Sequence, residues 1–216
     1  MKKIGVLGTG AVGATIGKKL VELGYEVKMG SRTNGNEKAV AWVKANGKGA
    51  SEGTFADAAV FGEIIFVCTR GEFALKALEQ GGVENFKNKT VVDVSNPLDF
   101  SKGMPPSLYI SNTNSLGEEV QKMLPGAYVV KALNTVNCEV MVDAKKGGGD
   151  ITMLICGNDA NAKAEVKEIL AQFGWNDILD IGDIKGARSQ EMMVITWVSV
   201  MSTLKTPHFG FKVVKP

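Results

Sequence analysis

The chain has 216 residues, 44% of them apolar and 22% charged, which suits one good-sized α/β domain or a domain with a small appendage. A formal charge of +2, with neither a basic tail nor a basic stripe, gives no reason to expect nucleic acid. No uninterrupted apolar run reaches the roughly 20 residues of a membrane span, so no membrane association and a soluble, cytoplasmic protein are expected. KKIGVLGTG reads as a short buried strand running into a turn. The helix after it places Val12, Ile16, Leu20 and Leu23 on one face, with Lys18, Lys19 and Glu22 opposite and Gly24 as its C-cap. YEVKMG is a second strand, followed by a helix over about 37–46.

EIIFVCT is a continuous apolar run of strand length, as a parallel strand covered on both faces requires. EFALKALEQ follows as a helix and TVVDVSNP as a strand. Ser115 with Glu118 makes a capping box for a helix ending near Leu124. AYVVKALNT, ITMLICG and DILDIG supply further strands, and AKAEVKEILAQF is a helix between the last two. Alternating strands and helices predict a parallel sheet with right-handed crossovers. KKGGGD, at 145–150, reads as a flexible loop. From Arg188 to about Lys205 the chain is apolar nearly all round, so this helix is expected to be buried in its own chain or against a second subunit, which predicts a homodimer. HFGFKVVKP alternates like an edge strand and ends in proline. Cys68, Cys138 and Cys156 lack paired spacing and read as small hydrophobes, and one histidine without a CxxC or HExxH pattern argues against a metal site.

Gly8-Thr9-Gly10-Ala11-Val12-Gly13 is a GxGxxG that follows a strand and opens a helix, the context in which this pattern binds a dinucleotide. Gly8 permits the tight turn, and Gly10 lets the backbone approach a pyrophosphate on the helix N-terminus. Gly13 allows close helix–strand packing, and Gly17 has the same use one turn on. An NAD-binding chain places Asp or Glu about 20 residues further on, to accept from the ribose 2′-hydroxyl. Here the second strand ends in Gly30-Ser31-Arg32-Thr33, and Glu26 lies at its other end. A carboxylate would repel a 2′-phosphate. A guanidinium pairs with it bidentately, and Ser31 and Thr33 add hydroxyls, with Thr9 or Lys38 in support. The expected cofactor is NADP(H).

"GTGAVG", "GSR", "VDVSNP", "VVKALNT" and "ICGND", in this order and spacing, resemble the NADP oxidoreductases that work with an 8-hydroxy-5-deazaflavin coenzyme (factor 420). They are equally similar to the cytosolic NADPH-binding domain of the transmembrane metalloreductases. The resemblance implies a Rossmann-type, doubly wound, mostly parallel sheet with a small C-terminal helical addition. Residues 1–185 would form the NADP-binding domain, and 186–216 a helix and tail packed on it or on a second subunit. By position, Thr9, Ser31 and Arg32 would hold the 2′-phosphate and Gly10, Ala11 and Val12 would cover the pyrophosphate. Thr69 and Arg70 would lie beside the adenosine-side ribose or the diphosphate. Asn96, Pro97, Leu133 and Asn134 would surround the nicotinamide, with a flat tricyclic partner, a flavin or deazaflavin, stacked near it. Two departures from the resemblance bear on the acceptor. No membrane part accompanies the domain, so no haem or transmembrane electron path is expected. Asparagine also stands at 134, as in the metalloreductase branch, where the deazaflavin enzymes have histidine, which opens the acceptor to FMN, FAD or another flat oxidant beside the deazaflavin.

Hydride transfer between a nicotinamide and such a ring needs orientation and exclusion of water more than acid–base help, and no catalytic side chain is assigned. His208 reads as an exposed tail residue and Lys131 as a structural lysine at a strand end. Two alternatives stand beside this one. A dehydrogenase or imine reductase for a small substrate would normally carry a substantial helical domain after the Rossmann part, and only about 30 residues follow the last strand here. A non-catalytic NADP(H)-binding sensor domain would need no catalytic side chain either.

Overall fold

A computed structural model describes residues 2–214. Eight strands form one sheet in the order β10-β9-β8-β5-β4-β1-β2-β3, with β1 at Lys3–Leu7, β2 at Glu26–Ser31, β3 at Ala50–Thr54 and β4 at Ile64–Val67. The others are β5 (Thr90–Asp93), β8 (Tyr128–Lys131), β9 (Thr152–Gly157) and β10 (Asp177–Asp180), while β6 (Leu98–Asp99) and β7 (Ser107–Leu108) make a separate two-stranded hairpin. The helices are α1 (Ala11–Glu22), α2 (Glu37–Asn46), α3 (Phe55–Phe61), α4 (Gly71–Gly81), α5 (Leu116–Met123), α6 (Cys138–Val142), α7 (Ala160–Gln172) and α8 (Ala187–Leu204). The architecture is the expected Rossmann-type α/β fold with a C-terminal helix.

The central strands read as unbroken apolar runs because each feeds two cores. Ile4, Ile64, Phe66, Val92 and Val130 face one layer, together with residues of α1 and α7. Leu7, Ile65, Val67, Val91 and Val129 face the other, with residues of α3, α4 and α5. Period-2 alternation therefore survives inside runs that look uniform.

Four features depart from the reading of the sequence. The sheet is mixed: β8 and β9 are antiparallel, with Val130 opposite Gly157, so β9 and β10 run against the rest. The connection from β8 passes through α6 and a short 3-10 turn (Ala144–Gly147) and not through one crossover helix. The edge strand β3 and the helix α3 were not foreseen. ASEGT pairs only with β2 and carries small or polar, half-buried side chains, so it shows no apolar alternation. Finally, α8 buries only Ala187, Gln190, Glu191, Val194 and Val198, leaving Met192 and Leu204 exposed. The tail beyond α8 runs beside the start of β9, with the Thr152 N–H donating to the Phe211 carbonyl at 2.8 Å, but forms no assigned strand. The final proline of the expected edge strand lies outside the described residues.

Side-chain oxygens of Asn36, Thr54, Ser115, Asn137 and Asp159 cap the amino ends of α2, α3, α5, α6 and α7. Asp183 caps the 3-10 turn that leads into α8. Helix α8 continues from that turn at Gly186 without a side-chain cap of its own, and α1 and α4 also open with no such cap. Helices α1 and α4 follow β1 and β4, the neighbouring strands at which the chain reverses its direction across the sheet. In open α/β sheets this switch point forms the ligand crevice.

Candidate functional site

The site grows from the carboxyl ends of β1, β2, β4, β5 and β8, which are mutually parallel, so the loops that follow them all emerge at one edge of the sheet. Every candidate residue lies there. Gly8 adopts φ +125°, a conformation for which an L side chain is strained, and its N–H donates to the Gly30 carbonyl at 3.0 Å. That bond sets the turn beside Ser31 and Arg32. A Cβ at Gly13 would come within 2.0 Å of the Gly8 carbonyl oxygen, so glycine is obligatory for this helix to leave the turn so closely. Gly10 differs: a Cβ there would meet no protein atom within 4 Å. Nothing in the chain requires glycine at Gly10, and the space beside it suits a ligand's close approach. The first-turn N–H groups of Ala11, Val12 and Gly13 have no intrahelical acceptor and no side-chain cap, and no acidic residue stands among them. A pyrophosphate fits this end of α1.

Ser31 is buried at the end of β2, and its hydroxyl donates to the Thr33 carbonyl at 2.6 Å, which folds the 31–33 turn. Arg32 points outward from that turn, exposed and without an ion pair among the described residues. Glu26 is paired with Lys3 at the amino end of the sheet, away from the turn. Glu52, on the unforeseen β3, accepts the Gly35 N–H at 3.2 Å and holds the rest of the loop. A free guanidinium next to a phosphate-binding turn is the arrangement a 2′-phosphate needs.

Thr69 follows β4, and its buried Oγ1 lacks a hydrogen-bond partner among the described residues. An orphaned hydroxyl beside the crevice fits a nucleotide that donates to it or accepts from it. Arg70 turns outward to pair with Glu72 at 2.6 Å and lies over the Phe73 ring. Asn96 and Asn134 lock across the edge: Asn96 Nδ2 donates to the Asn134 carbonyl at 2.8 Å, and Asn134 Nδ2 donates to Asn96 Oδ1 at 2.9 Å. Asn134 Nδ2 also donates to the Gln190 carbonyl of α8 at 3.2 Å. Pro97 is buried beside Asn96, and Leu133 is buried with φ +65°, a strained conformation for a branched residue.

Beneath this edge lies a cluster that the sequence reading did not assemble. Lys131 is fully buried, and its ammonium donates to Asp93 Oδ2 at 2.8 Å, to the Ser95 carbonyl at 2.6 Å and to Glu191 Oε1 at 2.8 Å. Glu191 also accepts the N–H groups of Leu116 and Gly117 at 2.8 and 2.9 Å, at the start of α5. Burial alone would lower the lysine's pKa, but the two carboxylates outweigh it and raise it. The ammonium therefore stays charged and structural, and it is not poised to give up a proton. The polar run Arg188 to Glu191 opening an otherwise apolar helix was the available signal. His208 is exposed and meets Glu139 at 3.0 Å on another part of the surface. Burial pushes the Cys68 thiol up, and Cys156, pushed up to about 12, donates to Gln190 Oε1 at 3.0 Å.

Residues 3–97 match the family model described as NADP oxidoreductase, coenzyme F420-dependent. The chain is 42% identical to a proposed F420-dependent NADP reductase from Arthrobacter sp. FB24, known from its crystal structure, with full coverage of both chains and a TM-score of 0.94. It is 27% identical over 158 residues to the F420-dependent NADP reductase of Methanocaldococcus jannaschii, covering 73% of this chain and 70% of that one. It is also 30% identical over 190 residues to the metalloreductase STEAP3 of Rattus norvegicus, a match that spans 88% of this chain and only 36% of that protein. Among the described residues no helix is long and apolar enough to cross a membrane.

Proposed function

The chain belongs to the coenzyme F420-dependent family of NADP oxidoreductases, and from that premise we propose that it passes hydride between NADP(H) and a flavin or deazaflavin ring. The observation that carries this reading is the state of the ionisable groups at the sheet edge. Arg32 is free to receive a 2′-phosphate, whereas Lys131 is sealed between two carboxylates. NADPH, when bound, supplies the hydride. The protein's own part is placement. The amino end of α1 receives the diphosphate, and Arg32 neutralises the 2′-phosphate. Thr69 offers its unpaired hydroxyl, and the interlocked Asn96 and Asn134 form a rigid wall at the strand ends beside Pro97 and Leu133. The same reading takes the protein as a cytoplasmic homodimer joined through the uncovered apolar side of α8.

The test is NADPH oxidation across FMN, FAD, riboflavin, 8-hydroxy-5-deazaflavin and ferric chelates. Turnover is expected only with a ring acceptor present. Arg32→Ala should raise KM for NADPH by about tenfold or more, the loss of a charge-assisted pair, and leave that for NADH nearly unchanged. Equal use of NADH and NADPH by the wild type would sink the phosphate clamp. Turnover of a small oxo acid or imine without any flavin would sink the acceptor class.

A further inference from the structure

The hairpin β6–β7 interrupts the β/α alternation between β5 and α5, and the nucleotide fold has no use for it. It leaves the sheet directly after Asn96-Pro97 and returns to the same place, the Tyr109 N–H donating to the Pro97 carbonyl at 3.0 Å. The arm stays uncovered: Phe100 is 46% exposed, Met104 61% and Tyr109 48%. Phe73, in the first turn of α4, is 50% exposed. That turn abuts the hairpin's root, since a Cβ at Gly71 would meet the Asn96 carbonyl oxygen at 2.0 Å. Phe73 and Phe100 are the exposed phenylalanines among the described residues, and both border this edge. Tyr109 closes the hairpin's root, its N–H meeting the Pro97 carbonyl next to the place where the first turn of α4 packs on Asn96.

We infer that this arm is the wall of the acceptor subsite, with Tyr109 at its base and Phe100 and Met104 at its tip lying against a flat, aromatic, flavin-class ring. The inference rests on the reading of the protein as a ring-acceptor reductase and names the residues that would make it one. The chemistry of the edge favours that occupant. Aromatic and thioether side chains present apolar faces suited to stacking on a ring. Two carboxylates against one ammonium in the buried cluster disfavour a small anionic substrate such as a hydroxy acid, Glu72 being offset by Arg70. The wall is continuous with Asn96 and Pro97 at the nicotinamide end, so a ring resting on it lies beside the proposed hydride donor.

Flavin fluorescence reads this directly. FMN and 8-hydroxy-5-deazaflavin are titrated separately with the full chain saturated with NADP+, using wild type, Tyr109→Ala, Tyr109→Phe and the double variant Phe100→Ser/Met104→Ser. Because all three positions are about half exposed or more, the variants are expected to fold. Quenching is expected with the wild type, and Tyr109→Ala and the double variant should weaken ring affinity about tenfold, the scale of a lost aromatic contact. Tyr109→Phe should restore it, with affinity for NADPH unchanged within about twofold throughout. Unchanged ring affinity in both the alanine and double variants overturns the inference, as does an equal weakening of NADPH. A change of mass in light scattering without a change in ring affinity would mark the arm as a contact with a second copy, and also overturns it. The two readings fail separately. Ring binding without turnover removes the reductase and leaves the wall, whereas turnover indifferent to the variants removes the wall alone.

Discussion

Arg32 and Lys131 are both cations at the carboxyl edge of the sheet, and their surroundings give them opposite roles. Arg32 is exposed and unpaired among the described residues, so its charge is available to a ligand. Lys131 has no exposed surface and makes three short contacts, so its charge is consumed in holding β5, β8 and α8 together. Removing one partner from a buried ionic cluster leaves the others uncompensated, which typically costs about 3–5 kcal/mol. Lys131→Met is expected to lose stability on that scale in urea denaturation, with activity falling in step with the folded fraction. A variant that is fully stable yet inactive would show instead that the ammonium takes part in the chemistry. The contrast was only half legible in the sequence. GxGxxG and GSR announce themselves because their function is local: turn, helix end and strand end lie within a short stretch. The partners of Lys131 come from another strand and from the last helix, and no spacing rule connects them. Asn96 and Asn134 were both named as candidates, but their reciprocal bond, between residues 38 apart, required the folded chain.

At the scale of elements, apolar periodicity located most helices and strands, and α2 matches its expected bounds of 37–46. Periodicity says nothing of strand direction, which is why the reversal at β9 escaped it. It also fails for an edge strand of small residues, as at β3. For α8 it gave the apolar surface but not the three polar residues that anchor it. Arg188 grips Glu118 through two bonds of 2.8 and 2.6 Å, Gln190 donates to the Leu154 carbonyl at 2.8 Å, and Glu191 joins Lys131. The expected capping box at Ser115 is altered for the same reason. Ser115 Oγ accepts the Glu118 N–H, but the Glu118 carboxylate goes to Arg188 and the Ser115 hydroxyl, while Asn114 takes the Ser115 N–H. The hydrogen bonds from Arg188, joined by Ser115, hold the Glu118 carboxyl below its ordinary value. A depressed carboxylate contributes stability above its unfolded pKa, and that contribution disappears as pH falls through the lower folded value. Arg188→Gln should therefore lower stability slightly at pH 7, a partly exposed bidentate pair being worth little. The gap from wild type should close progressively as pH drops below about 4.5. A gap that persists undiminished at the acid end would mean that Arg188 stabilises α8 by packing and not by charge.

For the whole molecule, the parallel strands β1, β2, β4, β5 and β8 bring every candidate loop to one edge of the sheet, as their alternation with helices implies. The proposed dimer contact falls on α8, whose run from Met192 to Leu204 contains no charged residue and stays only half covered in the single chain. Light scattering is expected to give the mass of two chains. Met192→Glu/Leu204→Glu, which places charges at two exposed apolar positions, should give one chain without loss of the far-ultraviolet helical signal. A wild type that is monomeric at micromolar concentration would remove the dimer from the proposal.

The missing side-chain caps at α1 and α4 bear on the lifetime of the protein. The sequence supplies a serine, threonine, asparagine or aspartate to five other helices and withholds one from these two. A serine or aspartate in place of Arg70 would strengthen α4 by roughly 1 kcal/mol. Without nucleotide, the crevice between β1 and β4 is thus bounded by two helix ends that no capping side chain holds. A ligand that binds only the folded chain depletes the opened forms that proteases cut. On the proposed reading, bound NADP(H) in either oxidation state would in this way slow proteolysis of the chain.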